Sequence, residues 1–408
     1  LGKDALNANT TASSNTAVGA DALTANTTGT QNVAVGAEAL DANTTAGDNT
    51  AIGYAALSTN TTGSSNTAVG HIALLANTTG SFNTAIGRLA LDANTTASEN
   101  TAIGYGALTS NTTGANNTAL GRGALRDNTT ASHNTAVGTF ALDANTTGTR
   151  NTAVGNESLE ANTTAVNNTA VGYQALTLNT TGSDNTSMGD TSLASNTTGS
   201  DNAAFGEGAS AANTTGGSNV AVGKNALTSN TTASNNTAVG TNALQLNTTG
   251  TTNTGIGVQA GADVTTGDNN LLLGLNAGRS SSPAGEITTG SNQVCLGNNS
   301  ITNLFCKVSL IQTSDIRDKT DITDFKHGLS WVEKLRPITY RWDMRSNYKN
   351  GIPDGSKKEE KLHLGFIAQE ELQIEKEHGF ANDKSDMLLV NENNDGNYGM
   401  HYDRLVPI

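Results

Sequence analysis

Charge, proline, cysteine and aromatic residues are all scarce in this 408-residue chain. Charged residues make up 14% and aromatics 4%, and there are four prolines, two tryptophans and two cysteines. Apolar residues reach 35%, below the roughly 45–50% of an ordinary globular domain. Two cysteines, Cys295 and Cys306, cannot build a disulfide framework, and they read as small buried thiols rather than a bridge. No run approaches the ~20 apolar residues that cross a bilayer, which speaks against membrane insertion. A net charge of −14 opposes nucleic acid as a partner. The six histidines are scattered without metal-ligand spacing, so neither a metal nor another cofactor is expected. No signal-peptide pattern opens the chain, and Leu1 reads as the start of a fragment whose own N-terminus is missing.

What fills the space is asparagine, threonine, alanine and 45 glycines. Low hydrophobicity without high charge does not match a disordered chain and suits a repeat of small residues instead. The averages also hide a step. Residues 1–313 carry 8 basic and 18 acidic residues, whereas residues 314–408 carry 14 and 18 in under a third of the length. Both tryptophans and three of the four prolines follow the step, which predicts two units meeting near Thr313–Ser314.

The first unit is a strict repeat. From Asn15 to Asn253 a 17-residue register recurs without insertion, giving fifteen rungs such as NTAIGYAALSTNTTGSS at Asn49–Ser65. Degenerate rungs follow at Asn270, lengthened around Ser280–Pro283, and at Gln293. The fourth position is always apolar (Val18, Ile52, Leu120, Met188, Phe205), and the ninth is leucine in 13 of 15 rungs. The fifth is always glycine, as expected where the backbone takes positive φ or packs closely. The eighth is alanine or serine, with no room for more between coils. Both asparagines of a rung recur every 17 residues, and stacking would align them as ladders.

Helix-pair repeats need longer periods, and the β-branched alternation favours strands. These features predict a β-solenoid whose coils each bury one valine or isoleucine, one leucine and two alanines. Seventeen or so rungs at ~4.8 Å make a shaft on the order of 80 Å long. So thin a core falls short of the entropy cost of ordering each rung, which points to association, with a homotrimer expected. The rungs resemble the NTAVG-type repeats of viral and bacterial fibre proteins. They are also similar to the head repeats of trimeric autotransporter adhesins, whose resemblance implies a left-handed β-roll.

Residues 314–408 read as a small mixed α/β domain. Ser330–Leu335 and Gln369–His378 are helical candidates, Ile338–Trp342 alternates like a strand, and 353–361 is a charged loop. Three runs occur in order: Ser314-Asp315-Ile316-Arg317-Asp318-Lys319, Leu335-Arg336-Pro337-Ile338-Thr339-Tyr340-Arg341-Trp342, and Gly365-Phe366-Ile367-Ala368-Gln369-Glu370. Together they resemble the C-terminal intramolecular chaperone of phage tail fibres and endosialidases. The resemblance implies a trimeric domain that assists folding of the preceding fibre and then cuts itself off between Thr313 and Ser314. It implies Ser314 as nucleophile and Lys319 as base. A serine hydroxyl needs such a base, and lysine serves only where burial or positive neighbours such as Arg317 lower its pKa. Asp315 reads as a cap or ion-pair partner in support. Related domains continue into a long C-terminal helix where this chain ends at Leu405–Ile408, so either a truncated C-terminus or a domain without that helix is expected.

Other features carry less. Gly255–Gly261 superficially matches a nucleotide-binding loop but sits in the repeat register. The fifteen NTT triplets match a glycosylation sequon at a period that marks structural turns. His71 and His133 fall at variable, exposed rung positions, and His363 reads as structural. Asp41, Asp92 and Asp143 are too scattered for a glycosidase pair. Tyr54, Tyr105 and Tyr173 share the sixth rung position, either as a sparse aromatic stripe or as surface variation. The reading that collects these points is an all-β trimeric solenoid shaft, residues 1–313, with a chaperone and autoprotease domain, residues 314–408. It would be a viral, above all phage, tail fibre for host attachment, carried on the virion through the missing N-terminus. Its receptor would be a host surface protein or glycan, and its chemistry one single-turnover cleavage in cis. The alternatives are a bacterial trimeric surface adhesin and, with regular threonine arrays, an ice-binding solenoid.

Overall fold

A computed structural model describes residues 2–305, 319–320, 322–345, 348–349, 351–392 and 396–405. The shaft is a parallel β-solenoid. Seventeen three-residue strands run from β1 (Thr16–Val18) to β17 (Val294–Leu296), one per coil. Each pairs in parallel with the strand 17 residues on, as in Thr118↔Thr135, Ala119↔Ala136 and Leu120↔Val137. The last pairing, of β16 (Leu271–Leu273) with β17, is offset by 23 residues, Leu271↔Val294, because the coil from Asn270 holds the inserted segment.

Backbone geometry explains the invariant glycine. The fifth-position glycines from Gly19 to Gly257 have φ between 125° and 143°. A Cβ on Gly121 would lie 2.4 Å from the carbonyl oxygen of Gly138 in the next coil. No other residue fits there. Three further positions per coil are left-handed and in most coils are not glycine: the seventh, the ninth and the seventeenth, as at Phe140 (56°), Leu142 (53°) and Arg150 (58°). The ninth-position leucines all lie between 47° and 55°. Left-handed backbone costs an L-residue about 1–2 kcal/mol, and bonds between coils hold it here. Leu125 N–H donates to the Ala141 carbonyl one coil on, at 3.0 Å.

Two asparagine ladders run through the interior. The leading Asn32 accepts the backbone N–H of Asn49 on its Oδ1 at 3.0 Å and donates from Nδ2 to the Ala46 carbonyl at 2.9 Å. The NTT asparagine Asn43 donates to the Asn26 Oδ1 at 2.9 Å and to the same Ala46 carbonyl at 3.0 Å. These buried amides are thus satisfied by their own copies in adjacent coils. The NTT ladder stops at Asn247, whose place is taken by Val264 and then Ile287, both buried.

The interior is narrower than the sequence suggests. It holds the third-position alanines, the eighth-position alanines and serines and the ninth-position leucines, as at Ala119, Ala124 and Leu125. The fourth-position residues, expected in this core, point out of it. Val18 is 47% exposed, Leu120 44% and Phe205 38%, and no fourth-position side chain is buried. The strand alternates, and its small residue faces inward because the opposite wall is too close for a valine.

The C-terminal region is small and mixed. It contains α1 (Gly328–Val332), the antiparallel pair β18 (Ile338–Tyr340) and β19 (His363–Gly365), α2 (Ala368–Glu377), and a second pair, β20 (Val390–Glu392) and β21 (Tyr398–Met400). The helical and strand expectations land within a few residues of α1, β18 and α2. Cys295 is a buried free thiol, and Cys306 lies outside the described residues.

Replacing Asn128 by alanine removes its bonds to Asn111 Oδ1 and the Ala131 carbonyl and the one it accepts from Asn145 Nδ2, so that the Asn111 oxygen loses its donor and Asn145 an acceptor, while the Ala131 carbonyl keeps Asn117. It should cost about 1–3 kcal/mol, read as faster amide exchange in the flanking coils. Thr130→Ala, on the exposed side of the same turn, should stay within about 0.5 kcal/mol.

Candidate functional site

Two features of the molecule carry functional meaning: an apolar stripe along the shaft and the C-terminal domain. The stripe is made by the fourth-position residues, one per coil from Val18 to Leu296, stacked at strand spacing. Beside it stand the second-position residues, mostly threonine. No charged residue occupies either position in any coil. A continuous apolar face of exposed and half-buried side chains of this length is unusual on a chain that stays alone.

In the C-terminal domain the fold brings together two motifs separated in sequence. Strand β18 comes from Leu335–Trp342 and β19 leads into Gly365–Glu370, and they pair as Ile338↔Gly365 and Tyr340↔His363. Across the same junction the Arg336 guanidinium grips the Glu370 carboxylate through two nitrogens, Nε at 3.0 Å. That contact holds the Glu370 carboxyl below its ordinary range. Gly365 sits so close to Tyr402 that a Cβ would lie 2.6 Å from the phenol oxygen, and this oxygen accepts the Phe366 N–H at 3.3 Å.

The core of the domain is Trp331, fully buried against Ile374 and Leu389 and stacked on His378 at 4.9 Å. Two acidic residues on α2 are buried as well, and neither was singled out by its sequence. Glu375 accepts three backbone N–H bonds, from Leu388 and Val390 at 2.9 Å and Leu389 at 2.6 Å, and so ties β20 to the helix. One turn earlier, Glu371 is buried with its Oε2 unpartnered. Burial first, then the nearby Glu370 and Glu375 carboxylates, push its pKa up to about 7. Glutamates in a Glu-rich helix look solvated in sequence, and only the packing of β20 and β21 against α2 distinguishes these two.

Of the cleavage residues expected from sequence, Thr313, Ser314, Asp315 and Arg317 lie outside the described residues. Lys319 is described and exposed. Among the described residues no group of His, Cys, Asp and Glu is placed to hold a metal ion, and no helix is long and apolar enough to cross a membrane.

The fold and the domain together define a class: a repeat-built β-solenoid, fibre-like in architecture, followed by a small α/β domain. Residues 314–380 match the family model described as chaperone of endosialidase, a peptidase family, so that the chain carries such a domain directly behind its solenoid. This succession fits a tail fibre with a C-terminal chaperone. Neither a curated protein nor a solved structure matches the chain.

The raised pKa of Glu371 has a definite sign for stability. A carboxyl that keeps its proton in the fold, against an ordinary value of 4.5, stabilises fully below pH 4.5 and loses that contribution as pH rises through about 7. Thermal unfolding of Glu371→Gln should therefore depend less on pH between 4.5 and 7 than the parent. An unchanged slope would remove Glu371 as the cause.

Proposed function

We propose that this chain is a homotrimeric viral tail fibre, most of all a phage one, which attaches the virion to a host surface and is assembled and released by its own C-terminal domain. The observation that carries the reading is the succession of a strict solenoid and, from residue 314 onward, a chaperone-of-endosialidase domain. The apolar stripe supports the trimer. Three shafts meeting along their fourth-position residues would bury there what each coil's narrow interior lacks room to bury.

The cleavage reading places the scissile bond between Thr313 and Ser314, at the first matched residue and at the step in composition. The Ser314 hydroxyl belongs to the residue that follows this bond, so its attack on the Thr313 carbonyl closes a five-membered ring. Lys319 takes the hydroxyl proton and delivers it to the departing Ser314 nitrogen. The Thr313 acyl group is thereby passed from nitrogen to oxygen, and water then hydrolyses the ester to a Thr313 carboxylate and a free Ser314. Lys319 is exposed in the single chain, and neighbouring protomers with Arg317 would supply the positive, desolvated surroundings that lower a lysine's pKa and leave its amine unprotonated, free to take a proton, at neutral pH. Cleavage would then report a completed trimer.

Intact mass under denaturing conditions tests the chemistry. The parent should yield products of 313 and 95 residues, while Ser314→Ala and Lys319→Ala should remain whole at 408. A parent that stays whole as a trimer would leave a chaperone without peptidase activity. Native mass tests the stripe: Val137→Glu should abolish the trimer by setting three carboxylates together, while Thr147→Glu, on an exposed turn, should keep it. A trimer that survives Val137→Glu would place its interface on another face.

A further inference from the structure

The sixth and seventh rung positions carry a ladder that the assembly reading leaves unused. From Tyr54 onward, five successive coils present Tyr54, His71, Arg88, Tyr105 and Arg122 at the sixth position, and the next presents Phe140 at the seventh. The three sixth-position tyrosines noted in the sequence are thus unequal: two belong to this ladder and Tyr173 stands apart. The His71 ring stacks on Tyr54 with centroids 5.4 Å apart. The Arg88 guanidinium lies 5.9 Å from the Tyr105 ring centre and that of Arg122 lies 5.2 Å from Phe140. All six are exposed except Phe140, which is half-buried.

Charge distinguishes this stretch from the rest of the shaft. Between Tyr54 and Phe140 the two positions hold no carboxylate, whereas Asp21 and Glu38 precede it and Glu157, Asp190 and Glu207 follow. The Glu38 carboxylate pushes the Tyr54 phenol pKa up, so an acid stands at that end of the ladder. Elsewhere in the shaft Arg126 finds Asp143 at 2.8 Å and Arg279 finds Asp263 at 2.9 Å, while Arg150 donates to Asn167 Oδ1 at 2.7 Å. Arg88 and Arg122 make no ion pair among the described residues, although acidic residues outnumber basic ones by 18 to 8 in residues 1–313. A planar cation left open beside an aromatic face is built for a carboxylate or phosphate joined to something that stacks. Two coils separate Arg88 from Arg122, about 10 Å at strand spacing, comparable to two sugar rings of an extended chain. The acidic shaft as a whole disfavours nucleic acid.

We propose that this ladder binds an extended acidic polysaccharide, with the aromatic rings packing on sugar faces and Arg88 and Arg122 each engaging a carboxylate or phosphate carried by the sugars. The proposal rests on the attachment reading and supplies its ligand class.

The test uses the full chain on immobilised polygalacturonate, on a phosphate-bearing mannan and on neutral dextran. The parent should bind an acidic probe, more weakly at higher salt, and ignore dextran. The double variant Arg88→Ala with Arg122→Ala should lose at least about tenfold in affinity, given the strength of charge-assisted bonds, and Tyr54→Ala with Tyr105→Ala should also lose affinity. Lys224→Ala, which removes the Lys224–Glu207 pair outside the ladder, should bind as the parent does. Binding to either acidic probe upholds the proposal and identifies the anion. Equal retention on dextran, or arginine variants that bind normally, would overturn it. So would a change of oligomeric mass in the arginine variant, which would assign the ladder to contacts between chains. A fibre that assembles and cleaves yet ignores acidic glycans defeats this inference alone, whereas failure of assembly defeats the reading beneath it.

Discussion

The structure depends on one constraint: each coil must present its polar groups where the next coil, 17 residues on, presents their complements. Asn43 is bonded both to Asn26 and to the Ala46 carbonyl, and Asn32 holds the backbone of Asn49 while reaching the same carbonyl. Such a network tolerates no insertion inside it, because a one-residue slip would leave buried amides and carbonyls unpaired in every coil it crossed. The extra residues of the Asn270 coil appear only where the NTT ladder has given way to Val264 and Ile287. The network also explains how leucine is held in left-handed backbone coil after coil, with neighbours on both sides imposing a conformation the residue alone would avoid.

Much of this was legible in the sequence, for a physical reason. Residues whose identity is demanded by geometry recur without exception, so the fifth-position glycine announced its φ and the two asparagines announced their ladders. Alternation tells which residues share a face and leaves open which face is inside. The fourth position looked like core because it is apolar, beside the leucine and two alanines expected there. Coil width decides the matter: between walls this close, alanine and one leucine fill the space, and valine, methionine and phenylalanine are turned outward at Val18, Met188 and Phe205. The left-handed seventh and seventeenth positions left no signal, since they carry almost any residue, and the ninth, leucine in 13 of 15 rungs, signalled burial and not its backbone.

The C-terminal domain shows the opposite balance. Its motifs were readable as runs, and the structure gives them a common purpose, since Arg336 and Glu370 join the two across the β18–β19 pair. Its buried acids were not readable. Glu371 and Glu375 sit among other charges in a helix whose outer residues are indeed solvated; the role of Glu375 arises from backbone donors at Leu388–Val390, beyond the matched motifs, and Glu371 is set apart by burial alone.

A shaft of this kind has a weakness that follows from its strength. Neighbouring coils are so alike that two chains brought side by side can match their stripes one coil out of step, keeping nearly every contact and losing only those at the ends. For repeats whose stability is a sum of local terms, that error costs about one coil's interface, too little to guarantee correct alignment. The stripe itself, uncharged from Val18 to Leu296, offers no residue that would penalise the slip. In the proposed trimer, register must therefore come from outside the repeat. A compact domain with a distinct core around Trp331 and charges of both signs can recognise two copies of itself in one arrangement only. Placed at the end of the shaft, it would align three chains before their stripes close. Its proposed removal afterwards would cost the shaft nothing, because the closed stripes would then hold what the domain was needed only to begin.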